Sequence, residues 1–185
     1  LVKGEVFDEK HTSMFVNRLL GRIIFCWFLD KKDIINHQLK YFDSESFDDD
    51  NEYYKTKLEK LFFEVLNKPI EDRVFKDTLT PFLNGGLFEI RENDLVNNSK
   101  LSFPRNYFDE LFKFLREYNF TTDESTSQYQ QVAIDPEMLG RVFENLLAEE
   151  VEETGEQARK AKGAFYTPRE VVDYMCKESL KQYLK

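Results

Sequence analysis

The spacing of large apolar side chains in "TSMFVNRLLGRIIFCWFLDKK", residues 12–32, constrains the fold most. Phe15, Leu19, Ile23 and Trp27 recur every fourth residue, and Met14, Leu20, Ile24 and Phe28 widen the stripe. Side chains at i and i+4 share one face of an α-helix, whereas a half-buried strand alternates. The spacing predicts a mostly buried helix from about Thr12 to Lys32, and therefore a second apolar surface to cover it.

That second surface is found beyond the acidic connector "YFDSESFDDDNEYY". Tyr54, Leu58, Leu61, Phe62, Val65 and Leu66 share one face of a helix expected near Asn51 to Asn67. It should stop before Lys68-Pro69, because the residue preceding proline avoids the helical region. Helical spacing resumes from Pro104 to Asn119 through Tyr107, Phe108, Leu111, Phe112 and Leu115. After a polar stretch, Thr121 to Gln131, Asp135 and Pro136 pair as N-cap and first helical residue. Met138, Leu139, Val142, Phe143, Leu146 and Leu147 would form the buried face of that helix.

One stretch reads differently. In "LTPFLNGGLFEI", Asn84-Gly85-Gly86 separates two short apolar runs, a tight-turn signal with glycines free to take positive φ. A small hairpin or an extended loop near residues 81–90 is expected. With only 7 Gly and 5 Pro in 185 residues, few turns are available for a sheet-rich fold. The expected class is mainly α, a helical connector or bundle, and 15% aromatic residues are ample for its core.

Cys26 and Cys176 lie far apart inside apolar helical patterns, which reads as two buried free thiols of a reducing cytosol. The apolar run Ile23 to Leu29 is too short to span a bilayer, and no signal-peptide pattern opens the chain, so no membrane partner and a cytoplasmic location are expected. A first residue of Leu rather than Met reads as a segment of a longer polypeptide. The 26 basic and 35 acidic side chains give a net charge of −9. Counterion release needs clustered Lys and Arg, so this segment is not expected to be the main grip on nucleic acid.

The chemistry-bearing motif lies close to the C-terminus, in "KGAFYTPREVVDYM", residues 162–175. Thr167-Pro168-Arg169-Glu170 forms a capping box, with Thr as N-cap, Pro next and Glu three residues later. The free N–H groups of such a helix start receive an anion such as a carboxylate. Phe165 and Tyr166 offer aromatic surface for an organic ligand. By themselves these letters describe an ordinary capped helix better than a ligand site, since capping boxes are common.

"GAFYTPREVVDYM" resembles the N-terminal AdoMet-binding motif, often called motif X, of adenine-N6-specific DNA methyltransferases. "PFLNGGLFEI", "IDPEMLGRVFENLL" and the opening "NRLLGRIIFCWFLDKK" resemble the helical connector ahead of the methyltransferase core in type IIG restriction–modification enzymes. The resemblance implies three parts: a helical connector over residues 1–150, a charged linker over 151–162, and the first, incomplete methyltransferase segment over 163–185. It implies S-adenosyl-L-methionine as cofactor of the parent, with Phe165, Tyr166, Thr167 and Pro168 against it and Thr167-Pro168 at its methionyl carboxylate. It also implies DNA as a partner through the parent, and Mg only in a nuclease domain outside this chain.

The family's Gly-rich cofactor loop and its Asn/Asp-Pro-Pro-Tyr/Phe motif, which receives a flipped adenine, are both absent: Asp135-Pro136 continues with Glu137. No catalytic residue is therefore expected here, and the segment alone should be inactive. A type I modification subunit or a phage-defence methyltransferase is an alternative parent. The distant alternative is a helical interaction module without cofactor, which the acidic charge and rich aromatics would suit.

Other clusters carry blander readings. Asp30-Lys31-Lys32, with Asp8 upstream, has the letters of a nuclease motif but follows helical spacing, so a charged helix end is expected. His11 and His37 lack Cys or carboxylate neighbours at metal spacing, and surface or capping roles are expected. Asp48-Asp49-Asp50 lacks the Gly and terminal Glu of a calcium loop and reads as a solvated turn. "RKAKG", Arg159 to Gly163, reads as charged linker, with a DNA phosphate as the alternative contact.

Overall fold

A computed structural model describes residues 9–83, 86–91, 94–96, 101–120, 133–134, 140, 167 and 169–184. These divide between two compact units, one holding the helices up to residue 120 and the other the final helix. The described elements are mainly helical, with two-residue strands β1 (Asn119–Phe120) and β2 (Ala133–Ile134) as the exceptions.

Helix α1 spans Glu9–Lys31. Phe15, Leu19, Ile23 and Trp27 are all buried, as the spacing requires, and Arg22, Cys26 and Leu29 are buried beside them. Over Thr12–Lys31 the helix is long and apolar enough to cross a bilayer. Its apolar face, however, is already spent on the core of this unit. Asp33 ends it with a left-handed φ of 56°. The Ile34 N–H then turns back to the Leu29 carbonyl at 3.0 Å, satisfying one of the helix's last acceptors.

The second helical rod opens with α2, Asp50–Tyr53, and continues as wide turns over Tyr54–Leu58 and Leu61–Leu66. In the first of these the Glu59 N–H donates to the carbonyl of Tyr54, five residues back. Such turns change which residues share a face. The buried set includes Tyr53 and Phe63 besides the six residues of the expected stripe, so the rod is covered on more than one side. Nothing in the spacing foretold this widening. The rod ends before Pro69 as expected.

Helix α3 spans Tyr107–Arg116, shorter than residues 104–119, with Phe108, Phe112 and Leu115 buried. Its start is capped from a distance. The Asp50 carboxylate accepts from the N–H groups of Asn106 and Phe108 at 2.7 and 3.0 Å. The Asn51 side-chain oxygen takes the Phe103 N–H at 2.8 Å. Asp49 meanwhile caps α2 by accepting from the Asn51 N–H. The triad Asp48-Asp49-Asp50 is thus not merely a solvated turn: two of its carboxylates satisfy helix-start donors.

Rings join the three helices. Trp27 of α1 stacks on Phe112 of α3 at 5.5 Å, and Phe42 meets both edge-on. Tyr53 and Tyr54 of the second rod contact Phe108 at 5.0 and 6.3 Å. Offset and edge-to-face pairs add to the area these rings already bury.

Residues 81–90 hold no strand among the described positions, so the extended loop is found and the hairpin is not. Gly86 lacks a left-handed φ, and a Cβ there would meet nothing nearer than 4.0 Å, so neither sterics nor backbone demands a glycine. Asn84 and Gly85 lie outside the described residues.

The last helix, α4, spans Arg169–Tyr183. Val171, Val172, Met175 and Leu180 are exposed along it. So is Cys176, which corrects the expectation of two buried thiols; Cys26 alone is buried. Of the helix expected after Asp135, Gly140 is described and is helical, while Met138, Leu139, Val142, Phe143, Leu146 and Leu147, and the linker "RKAKG", lie outside the described residues.

Candidate functional site

Of the four residues expected against a cofactor, Thr167 is described and exposed, two positions ahead of α4. Phe165, Tyr166 and Pro168 lie outside the described residues. An exposed hydroxyl leading into a fifteen-residue helix is compatible with a carboxylate resting at the helix start. Glu170 adds a negative charge to the first turn.

In the first unit the best-built polar cluster is one that the sequence reading did not single out. Arg22 donates to both oxygens of Asp94, at 2.7 and 3.0 Å, and to the carbonyls of Leu87 and Glu89, at 2.7 and 3.1 Å. Its guanidinium also lies 4.8 Å from the Phe63 ring centre. Arg18 adds a contact to Asp94 at 2.9 Å, and the Arg91 N–H one at 2.8 Å. Burial alone would raise the Asp94 carboxyl, but the hydrogen bonds and charge of Arg22, with Arg91 N–H and Arg18, hold it below the ordinary range. Phe88, against Phe25 and Phe62, is the apolar peg of the same loop. The segment after Asn84-Gly85 is therefore fixed to α1 by a buried ion pair, a packing role for a stretch whose glycines were its visible feature.

A second knot centres on Asp77, which accepts from the hydroxyls of Tyr41 and Thr80, the N–H groups of Leu79 and Thr80, and the Asn36 amide. Burial would raise its carboxyl, yet the bonds from Thr80, Tyr41 and Asn36 outweigh that and lower it. The same environment raises the Tyr41 phenol, through burial first and then the Asp77 hydrogen bond. Beside this knot an open cleft of about 330 Å³ is lined by Asp30, His37, Lys40 and Arg116 among others.

Asp30-Lys31-Lys32 stands at the end of α1, a charged helix terminus as expected. His37 does have carboxylate neighbours, which corrects the expectation: Nδ1 lies 3.3 Å from Asp30 and Nε2 lies 2.9 Å from Asp33. Among the described residues no group of three or more His, Cys, Asp or Glu could hold a metal ion. The side chain of His11 and all of Asp8 lie outside them.

Residues 14–88, which run from the first turns of α1 through the Phe88 peg, match the family described as "MmeI, helicase spacer domain". Over 186 aligned positions and 94% of this chain, the sequence is 34% identical to a Methanocaldococcus jannaschii protein named "Putative type II restriction enzyme and methyltransferase". The resemblance to type IIG-like restriction–modification enzymes stands. The chain spans 15% of that relative's length, so most of the relative lies outside the comparison. No solved structure matches the chain. The spacer match covers most of α1, the second rod, the Asp77 knot and the Phe88 peg but stops short of Asp94, and the wider match extends the likeness to most of the chain.

Proposed function

We propose that this chain is the helical connector and first methyltransferase segment of a type IIG-like enzyme. Its parent methylates adenine N6 in DNA with S-adenosyl-L-methionine and cleaves unmodified DNA. The reading rests on one observation above all: 34% identity running through 94% of the chain to a protein named as a putative restriction enzyme and methyltransferase. The connector, over residues 1–150, holds the methyltransferase at a set position relative to the other parts of the polypeptide. Residues 151–162 link it to the segment 163–185.

The cofactor, when bound, supplies the methyl group. The residues of this chain bind and orient it. The Thr167 hydroxyl and the N–H groups at the start of α4 receive its carboxylate, and Phe165 and Tyr166 offer it aromatic surface. Adenine is held and methylated by parts outside this chain, in the cytoplasm.

The test is methyl transfer by the full polypeptide from labelled cofactor to DNA, with the product base identified. N6-methyladenine supports the reading; no transfer, or a methylated cytosine, overturns it. Within an active enzyme, Thr167→Ala should weaken cofactor binding about tenfold by calorimetry, the worth of one hydrogen bond to a charged group. Unchanged affinity would remove Thr167 from the pocket.

A further inference from the structure

Residues 70–82, between the second rod and the Phe88 peg, turn several polar groups inward and several apolar ones outward. Arg73 turns inward and donates to the carbonyls of Lys68, Asp77 and Thr80. Asp77 and Thr80 are buried at the Asp77 knot. Phe75 also faces in, 6.4 Å from the Tyr41 ring and beneath the Lys60 ammonium at 5.3 Å. The apolar neighbours point the other way: Val74 is 85% exposed, Leu79 65%, Ile70 46% and Phe82 37%. A single exposed apolar residue is ordinary, but several presented by one short loop mark an interaction surface. With its backbone fixed by Arg73 and Asp77, this loop cannot turn Val74 or Leu79 inward without breaking buried hydrogen bonds.

We propose that this loop is a docking surface, and that its occupant is an apolar patch on another domain of the same polypeptide. The inference rests on the proposed function, which supplies such domains. The relative is more than six times the length of the matched stretch, which spans 15% of it, so a spacer of this kind has covalently attached neighbours within reach. An attached partner meets the loop at high effective concentration, and a modest apolar patch then suffices where a free partner would need a larger one. The core of such a patch excludes charge, as the outward positions 70, 74, 79 and 82 do, while Glu71, Asp72 and Lys76 provide an exposed polar rim.

The test uses the full polypeptide, with Cys176→Ser removing the exposed native thiol. Single Val74→Cys and Leu79→Cys variants are labelled with a maleimide, and the rate at each site is read by peptide mass spectrometry. A Lys113→Cys variant on the exposed side of α3 serves as the open reference. Covered positions should label about tenfold or more slowly than the reference, with no dependence on protein concentration. Equal rates at all three sites would overturn the proposal. Protection that fades on dilution would also overturn it, by showing that a second copy is the occupant. Methyl transfer by the same preparation is assayed in parallel. An active enzyme with equal labelling rates refutes the docking surface alone, whereas a polypeptide without transfer activity refutes the reading beneath it.

Discussion

Asp94→Ala tests the anchoring of the loop to α1 most sharply. The substitution deletes the acceptor of two Arg22 hydrogen bonds, one from Arg18 and one from the Arg91 N–H. Arg22 stays buried, keeping its bonds to the carbonyls of Leu87 and Glu89 but losing the charge that balances it. Removing one partner of a buried ion pair costs about 3–5 kcal/mol, because an uncompensated charge is left behind. With a urea slope of about 2 kcal/mol/M for a domain of this size, the midpoint should fall by about 1.5–2.5 M. Trp27, the single tryptophan, is buried on α1 against Phe112 and reports the transition by fluorescence. Arg22→Met with Asp94→Leu should recover much of the loss, since apolar groups of similar volume often replace a buried pair at little cost.

Acid gives a second view of the same group. The folded state holds the Asp94 carboxyl below its ordinary 3.8. Its stabilisation is therefore complete above that value and disappears as pH falls through the lower, folded value. The wild-type midpoint should decline on acidification below about pH 4, and less steeply in Asp94→Asn. Asp77, lowered in the same way, keeps part of the slope in both proteins. A shift of the Asp94→Ala midpoint below about 0.5 M would refute the reasoning, since a buried unpaired guanidinium is inconsistent with so small a cost.

Two further outcomes follow from individual residues. Cys176 is exposed and Cys26 buried, with burial pushing the Cys26 thiol well above its ordinary range. A disulfide reagent should titrate Cys176 promptly and Cys26 only on unfolding; prompt reaction at Cys26 would contradict its burial. Asp50→Ala should cost about 1 kcal/mol by removing the carboxylate that caps α3, with faster amide exchange at Phe108 and Leu111. Unchanged exchange there would show that α3 needs no cap from the second rod.

What could be read from the sequence, and what could not, divides by distance along the chain. The i, i+4 stripe of Phe15, Leu19, Ile23 and Trp27 is local, and it located α1 and its buried face. Pro69 located the end of the second rod through its own steric rule. The cap of α3 was not readable, because its acceptor, Asp50, stands 56 and 58 residues before its donors. The Arg22–Asp94 pair spans 72 positions. A hint was available, however: Arg22 interrupts an otherwise apolar helix face, and a cation at a core position implies a buried anion elsewhere. At the candidate site the capping letters and their resemblance were legible, while of the four named residues the structure adds a position for Thr167.

The first unit's construction bears on the role proposed for it. A part that fixes one domain relative to others must resist deformation, and flexible aliphatic packing alone does this poorly. Here the helices meet through rings whose mutual angles are specific: Trp27 lies parallel to Phe112, and Phe42 stands nearly perpendicular to both. The loop around Asp77 holds one short 3-10 turn, Ile70–Asp72, and both loop regions are tied to the core through one buried carboxylate, Asp77 or Asp94, with several donors. A buried carboxylate met by several donors has few alternative arrangements of comparable energy, since a shift leaves a desolvated group unpaired. Stiffness in the loops therefore comes from polar chemistry and stiffness between the helices from aromatic geometry. That combination suits a spacer that sets a distance better than a hinge that varies one.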